Sequence, residues 1–231
     1  MSVVSLDAKG AERVRHSQHL DEQMSLLKTT RDYTSRMSDD LETTIHMYND
    51  DSKTNSQSNR FEALSDVVLE LSKELPAGSE YAKTLKAANG VIGIIASHQR
   101  DFQRSIQTSV LLPLRNWLRD IYPKAIKECA TLERYRKNLQ ACVQQANQAN
   151  TADNILKELE RSKVKKKYSK QEQVVKQFLD QLSEQHRSHR NCIKTFLKLL
   201  ADYHRHSLGA LDLYLGTLPP ASTPKSPTPP P

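Results

Sequence analysis

From Arg161 to Lys170 the chain reads Arg161, Ser162, Lys163, Val164, Lys165, Lys166, Lys167, Tyr168, Ser169 and Lys170, six cations without an acid. On a helix Lys163, Lys166, Lys167 and Lys170 fall on one face, since steps of three and four residues return to the same side. A cationic face of this kind attracts an anionic partner: a phospholipid surface, a nucleic acid or an acidic protein. A cytoplasmic leaflet carries negative potential, and each nearby Lys or Arg adds roughly 1 kcal/mol of attraction. Nucleic acid is the weaker match, because no RRM, KH, zinc-finger or helix-turn-helix pattern occurs and Tyr168 is the one aromatic inside the run. The competing reading is a solvated helix face with no partner at all.

Other chemistry-bearing residues are sparse. His186 and His189 lie three apart, and His204 and His206 two apart, but neither pair has a third ligand at metal-site spacing. Cys129, Cys142 and Cys192 form no C-x-x-C pair and are odd in number, which fits a reduced, cytoplasmic chain. Gly90 and Gly93 follow no strand and belong to no GxGxxG, so they read as close helix packing, not a phosphate loop. No P-loop, HExxH or Ser-His-Asp pattern occurs, and carboxylates are scattered over polar faces. No enzymatic activity, cofactor or metal is predicted.

The elements that carry the lysines are helices. The 231 residues include six glycines and ten prolines, and seven of those prolines follow residue 218. So few breakers across the first 218 residues leave little material for the turns of a sheet fold. One apolar stripe runs through Leu20, Met24, Leu27, Met37, Leu41 and Ile45, weakened at Arg31 and Thr34, and resumes from Phe61 to Leu75 beyond a polar stretch at 49–59. Pro76 to Ser79 stops that helix, with Ser79 placed to cap the next. A second stripe runs from Tyr81 to Ala146 and keeps its phase across Pro113 and Pro123, so these prolines should bend the helix without ending it. Residues 147–154 read as a tip turn capped by Thr151 or Asp153. A third stripe starts at Ile155, Leu156 and Leu159, thins through the lysines and recovers from Val175 to Leu218.

Helices two and three hold about 65 residues each, near 100 Å at 1.5 Å per residue. The expected fold is all-α: three very long, kinked antiparallel helices in a coiled coil. So thin a rod buries little apolar area alone, and the stripe around Ile92 to Trp117 is broader than one neighbour requires. A homodimer is therefore predicted, a curved six-helix crescent meeting through Ile92, Ile95, Phe102, Ile106, Leu114, Trp117, Phe196 and Tyr203. The net charge of +7 is lopsided. Residues 1–110 carry 13 Lys/Arg against 16 Asp/Glu, and residues 111–231 carry 21 against 11. The basic half holds the predicted tip, where Lys127, Arg134, Arg136 and Lys137 join the lysine run. No stretch approaches the ~20 apolar residues that span a bilayer, so membrane contact would be peripheral.

These segments resemble a known family. Leu111, Leu112, Pro113, Leu114, Arg115, Asn116, Trp117 and Leu118 resemble the F-x-x-P-L-x-x-F/L segment in helix two of classical BAR domains, the N-BAR type of endophilins and amphiphysins. Tyr122 to Glu128 followed by Leu132 to Leu139 is similar to that family's basic K-K-L-x-x-x-R-x-D-Y region, although the aspartate before its tyrosine has no evident counterpart. Gln185 to His204 is similar to the closing helix, and the lysine run stands where the family carries its tip lysines. The resemblance covers about residues 18–218. It implies a crescent dimer that senses or generates membrane curvature in endocytosis or vesicle trafficking. By position it makes Arg161, Lys163, Lys165, Lys166, Lys167 and Lys170 tip contacts to anionic phospholipid. Lys127, Arg134, Arg136 and Lys137 become contacts of the concave face.

Residues 1–17 are expected to be flexible, with Val3, Val4, Leu6, Ala11 and Val14 as a weak amphipathic helix that could insert into a bilayer. Residues 219–231 read as a disordered proline-rich tail. There Pro224, Pro227 and Pro230 make two overlapping P-x-x-P patterns, a low-specificity ligand for SH3 domains. The competing functional classes are a coiled-coil scaffold without membrane contact and a helical adaptor that binds a small GTPase. Binding to anionic and neutral vesicles separates the first class from these two.

Overall fold

The structure is a computed structural model and describes residues 3–6, 12–46, 59–76, 78–148 and 154–216. Helices dominate: α1 (Gln18–His46), α2 (Arg60–Glu74), α3 (Glu80–Ile106), α4 (Leu112–Asn116), α5 (Tyr122–Asn147), α6 (Asn154–Asp180) and α7 (Leu182–Leu215). The sequence did not announce two short strands, β1 (Val3–Leu6) and β2 (Glu12–Arg15), which pair antiparallel with Val4 opposite Val14. Of the residues considered for an amphipathic helix, Val3, Val4, Leu6 and Val14 are thus in paired strands, and Ala11 lies outside the described residues. The polar stretch at 49–58, the proposed caps Thr151 and Asp153, and the proline-rich tail lie outside the described residues.

The two prolines act as their chemistry requires. Each lacks an N–H and crowds the carbonyl four residues back, which is Ser109 for Pro113 and Arg119 for Pro123. Both carbonyls lie in the middle of a π-helical turn, Gln107–Leu111 and Trp117–Ile121. A turn one residue wider makes room for the ring and lets the helix continue. The backbone is therefore helical from Glu80 to Asn147. Gln181 alone separates α6 from α7, and its carbonyl accepts from Gln185 N–H at 3.1 Å.

The chain forms two compact units. In the first, Met1–Glu42 with Thr108–Thr195, partners fix the helix directions. Gln171 Nε2 donates to the Glu128 carbonyl at 3.2 Å and to its Oε2 at 2.6 Å, while residues 133 and 168 meet through His16, so α5 and α6 run antiparallel. Thr30 meets His186 at 2.9 Å and Thr34 meets His189 at 3.4 Å, so α1 and α7 run parallel. The core joins Leu20 and Leu27 of α1, Trp117 of the second π-helical turn, Leu132, Leu139 and Val143 of α5, and Tyr168, Val175 and Leu179 of α6. These follow the 3- and 4-residue steps of coiled-coil packing.

The apparent gap in the first stripe is a polar layer. Thr34 and Ser38 are buried; Ser38 Oγ donates to the Thr34 carbonyl at 2.8 Å, and Thr34 pairs with His189, whose ring meets the Trp117 indole edge-on at 4.9 Å. Burial lowers the His189 pKa, with His186 adding to the effect. His186 and His189 are thus partners of threonines in the helix packing.

The second unit, Thr43–Gln107 with Phe196–Pro231, contains α2 and α3 packed antiparallel. Asn59 opens α2 with a reciprocal capping box: its side chain accepts from Glu62 N–H at 2.8 Å, and Glu62 accepts from Asn59 N–H at 3.0 Å. Leu75 ends the helix in extended conformation before Pro76, and Ser79 caps α3 through Ala82 N–H, as the sequence suggested. The expected close packing at the glycines is not required. A Cβ at Gly93 would meet Ser65 Oγ at an ordinary 3.6 Å, and one at Gly90 would meet nothing within 4 Å.

Leu132 is fully buried between α5 and its neighbours. Leu132→Ala should lower unfolding stability by about 2–5 kcal/mol through lost transfer energy and a residual cavity. Urea denaturation followed by circular dichroism measures this; a loss well below that range would mean that the helix pair is not closely packed there.

Candidate functional site

The lysine run lies on α6 and is oriented by its inward side chains. Tyr168 is fully buried, and Val175 likewise. With about 100° between successive residues, Lys163, Lys166 and Lys170 project from the side opposite these two. Lys163, Lys165, Lys166, Lys167 and Lys170 are all exposed, and among the described residues none of them forms an ion pair. Arg161 is only 27% exposed and reaches Glu158 Oε2 at 3.4 Å, so it is partly neutralised on the flank of the run.

Helix α5 divides its four predicted cations. Lys127, Arg134 and Lys137 are exposed, Arg134 over the Tyr135 ring at 5.6 Å. Arg136 points the other way. Its guanidinium holds Glu133 with two bonds of 2.8 and 2.7 Å and donates to the Val14 carbonyl at 3.0 Å. It is a strut for the N-terminal strand, with little capacity left for a ligand.

Around that strut is a polar cluster that the sequence reading missed. His16 Nδ1 lies 2.7 Å from Tyr168 Oη, and its Nε2 3.2 Å from Glu133 Oε2. A carboxylate only accepts, so Nε2 carries the hydrogen and the phenol donates to Nδ1. Gln140 Oε1 accepts from Val14 N–H at 2.6 Å. Burial pushes the Tyr168 pKa up and keeps the phenol protonated. The Arg136 guanidinium, aided by His16, brings the Glu133 carboxyl from 4.5 down to about 2. The sequence reading noted Tyr168 only as an aromatic inside the cationic run; its phase with Val164 and Val175 marks it as core.

A second correction concerns Ile155, Leu156 and Leu159, read above as the start of a core stripe. They are 80%, 69% and 53% exposed.

The predicted self-association residues also separate. Ile95, Ile106, Leu114 and Trp117 are at most 8% exposed, so the protomer has already used their surface and they cannot present it to a second copy. Ile92, Phe102, Phe196 and Tyr203 remain half-buried. In the second unit Phe102 stacks on Tyr203 at 5.2 Å and His98 on His206 at 5.0 Å. They line a groove of about 200 Å³ with Leu199, Asp101 and Asp202. Ile94, Tyr81, Val67 and Leu197 are exposed elsewhere on this unit. The proposed SH3-ligand prolines Pro224, Pro227 and Pro230 lie outside the described residues. No helix among the described residues is long and apolar enough to cross a membrane.

A carboxyl that titrates lower in the folded state contributes stability above its unfolded pKa and loses it as pH falls. Glu133 should therefore stabilise the fold at neutral pH, with that contribution disappearing between pH 4.5 and about 2. Its side chain is 40% exposed, so screening keeps the effect modest. Urea midpoints of Glu133→Gln should lie below wild type at neutral pH and converge with it toward the acid end. A constant gap across that range would show that the carboxylate charge contributes nothing.

Comparison with known proteins places these features in context. Residues 5–213 match the BAR domain family. Endophilin-B2 of Rattus norvegicus and of Mus musculus are each 25% identical over 154 residues, which is 62% of this chain. The chain spans 38% of the length of these curated relatives. The solved N-terminal I-BAR domain of D. discoideum IBARa aligns with 87% of this chain and 82% of its own, at 9% identity and a TM-score of 0.37.

Proposed function

Because this chain belongs to the BAR domain family, we propose that it is a peripheral membrane scaffold that binds anionic phospholipid and senses or generates curvature. The observation that carries the reading is the outward line of exposed lysines on α6, with its opposite face locked into the core by Tyr168 and Val175. Lys163, Lys165, Lys166, Lys167 and Lys170 are its principal lipid contacts, with Lys127, Arg134 and Lys137 of α5 adding to the field. Arg161 contributes less because of Glu158, and Arg136 contributes through the fold.

The scaffold acts as a homodimer, two copies forming a six-helix crescent. Half-buried Ile92, Phe102, Phe196 and Tyr203 and the exposed apolar side chains of the second unit support this, since a surface with that much apolar area favours a partner. Its setting is the cytoplasmic side of a membrane in endocytosis or vesicle trafficking, and its proline-rich end is a ligand for SH3 domains.

Co-sedimentation with vesicles tests the central claim. Wild-type protein should pellet with phosphatidylserine-containing vesicles and stay in solution with neutral ones. Four near-surface lysines contribute roughly 1 kcal/mol each, so replacing Lys163, Lys165, Lys166 and Lys167 with glutamate should abolish binding. Helicity should remain unchanged, because all four are exposed. Equal pelleting of variant and wild type would overturn the reading in favour of a scaffold without membrane contact.

A further inference from the structure

We propose that Ile155, Leu156 and Leu159, at the start of α6, enter the acyl region of an anionic bilayer while the lysines behind them hold its headgroups. This deepens the membrane reading above and rests on it. The three side chains are 80%, 69% and 53% exposed, an unusual concentration of aliphatic surface on one and a half helical turns. Solvent exposure of single aliphatic residues needs no explanation, but a contiguous group does.

Phase connects this group to the cations. At about 100° per residue, Ile155 and Leu159 align with Lys166, and Leu156 aligns with Lys163 and Lys167 to within about 20°. One face of α6 is thus apolar for its first turn and a half and cationic for the next two. Glu158 and Glu160 lie about 90° or more from the centre of that face, and Glu158 is engaged by Arg161. Glu160 is exposed and lies about 20° from Lys167, so the line carries one carboxylate at its edge, outnumbered by Lys163, Lys166, Lys167 and Lys170.

That order of chemistry matches a bilayer better than a protein partner. Three side chains offer far less than the roughly 800 Å² per partner of a stable protein interface. A membrane requires only shallow entry, about 5–10 Å into the headgroup–acyl boundary, combined with nearby Lys or Arg. Lysines starting one turn farther along can lie beside the phosphates while their methylene stems follow the apolar surface. The two contributions differ in salt response: screening weakens the lysines and leaves apolar burial in place.

The experiment uses the full chain with phosphatidylcholine–phosphatidylserine vesicles whose acyl chains carry bromine, a contact quencher of indole fluorescence. A Leu156→Trp variant should be quenched, while wild-type protein, with Trp117 only 2% exposed, should not. Replacing Ile155, Leu156 and Leu159 with serine should weaken vesicle binding about tenfold, within the range of losing partial burial of three aliphatic side chains. The loss should be most evident at about 0.5 M salt, where lysine attraction is largely screened.

If wild-type protein binds but the Leu156→Trp indole is unquenched, or the serine variant binds equally at high salt, the insertion is overturned and the membrane reading stands. If wild-type protein binds no anionic vesicle, both fall. If the serine variant instead loses self-association by sedimentation velocity, the patch belongs to a second copy and the insertion is overturned. Circular dichroism should be the same for all variants, since exposed positions do not hold the helix together.

Discussion

Tyr168 is a buried phenol in the middle of the most basic stretch of the chain, and its position determines which lysines can reach a partner. A helix of six cations has no intrinsic direction; any of its faces could turn outward. Packing of Tyr168 against α5, with its hydroxyl donated to His16, removes that freedom. Val175 and Leu179 continue the same inward line. Desolvation of a phenol is costly unless its hydrogen bond is made, so His16 belongs to the same constraint. Through His16 and Glu133 the cationic face of α6 is coupled to Arg136 of α5 and to the backbone of the N-terminal strand at Val14.

The path of helix two shows a similar economy. Proline inside a helix removes one hydrogen bond and collides with one carbonyl. Here each collision is met by a widened turn placed over the affected carbonyl, and helical hydrogen bonding resumes after it. Leu114 and Trp117, immediately beyond the first proline, are buried. The disturbance is therefore kept within the backbone while the core-facing phase is preserved. This is why a stripe of apolar residues could be followed through both prolines in the sequence.

The helices, their order and their antiparallel sense were legible because 3- and 4-residue apolar steps persist for tens of residues. The caps at Ser79 and the stop at Pro76 were legible for a local reason: the residues that satisfy the backbone are adjacent in sequence. The polar layer of Thr34 and Ser38 was not, since a hydroxyl becomes a core group only when a partner such as His189 arrives from 155 positions away. The inward turn of Arg136 could have been found from phase, because it lies about 180° from Lys127 on α5. Charge composition concealed it by grouping every cation near the tip as one surface. Ile155, Leu156 and Leu159 were misread for the opposite reason: aliphatic type was taken as burial, although a helix end has fewer neighbours than its middle.

That last point bears on why, on the membrane reading proposed above, a helical scaffold would combine two kinds of adhesion in one place. A long helix pair has most of its area facing water, so it can display a charged line without sacrificing core. Charge attracts over roughly a Debye length, about 8 Å at physiological salt, but it does not fix depth or angle. Aliphatic groups act only on contact, yet they resist salt and lock position once buried. On the proposed reading, placing the apolar group ahead of the lysines on one face would give attraction first and anchorage second. The same face of α6 would supply both because buried Tyr168, with Val175 and Leu179, settles the rotation of the helix.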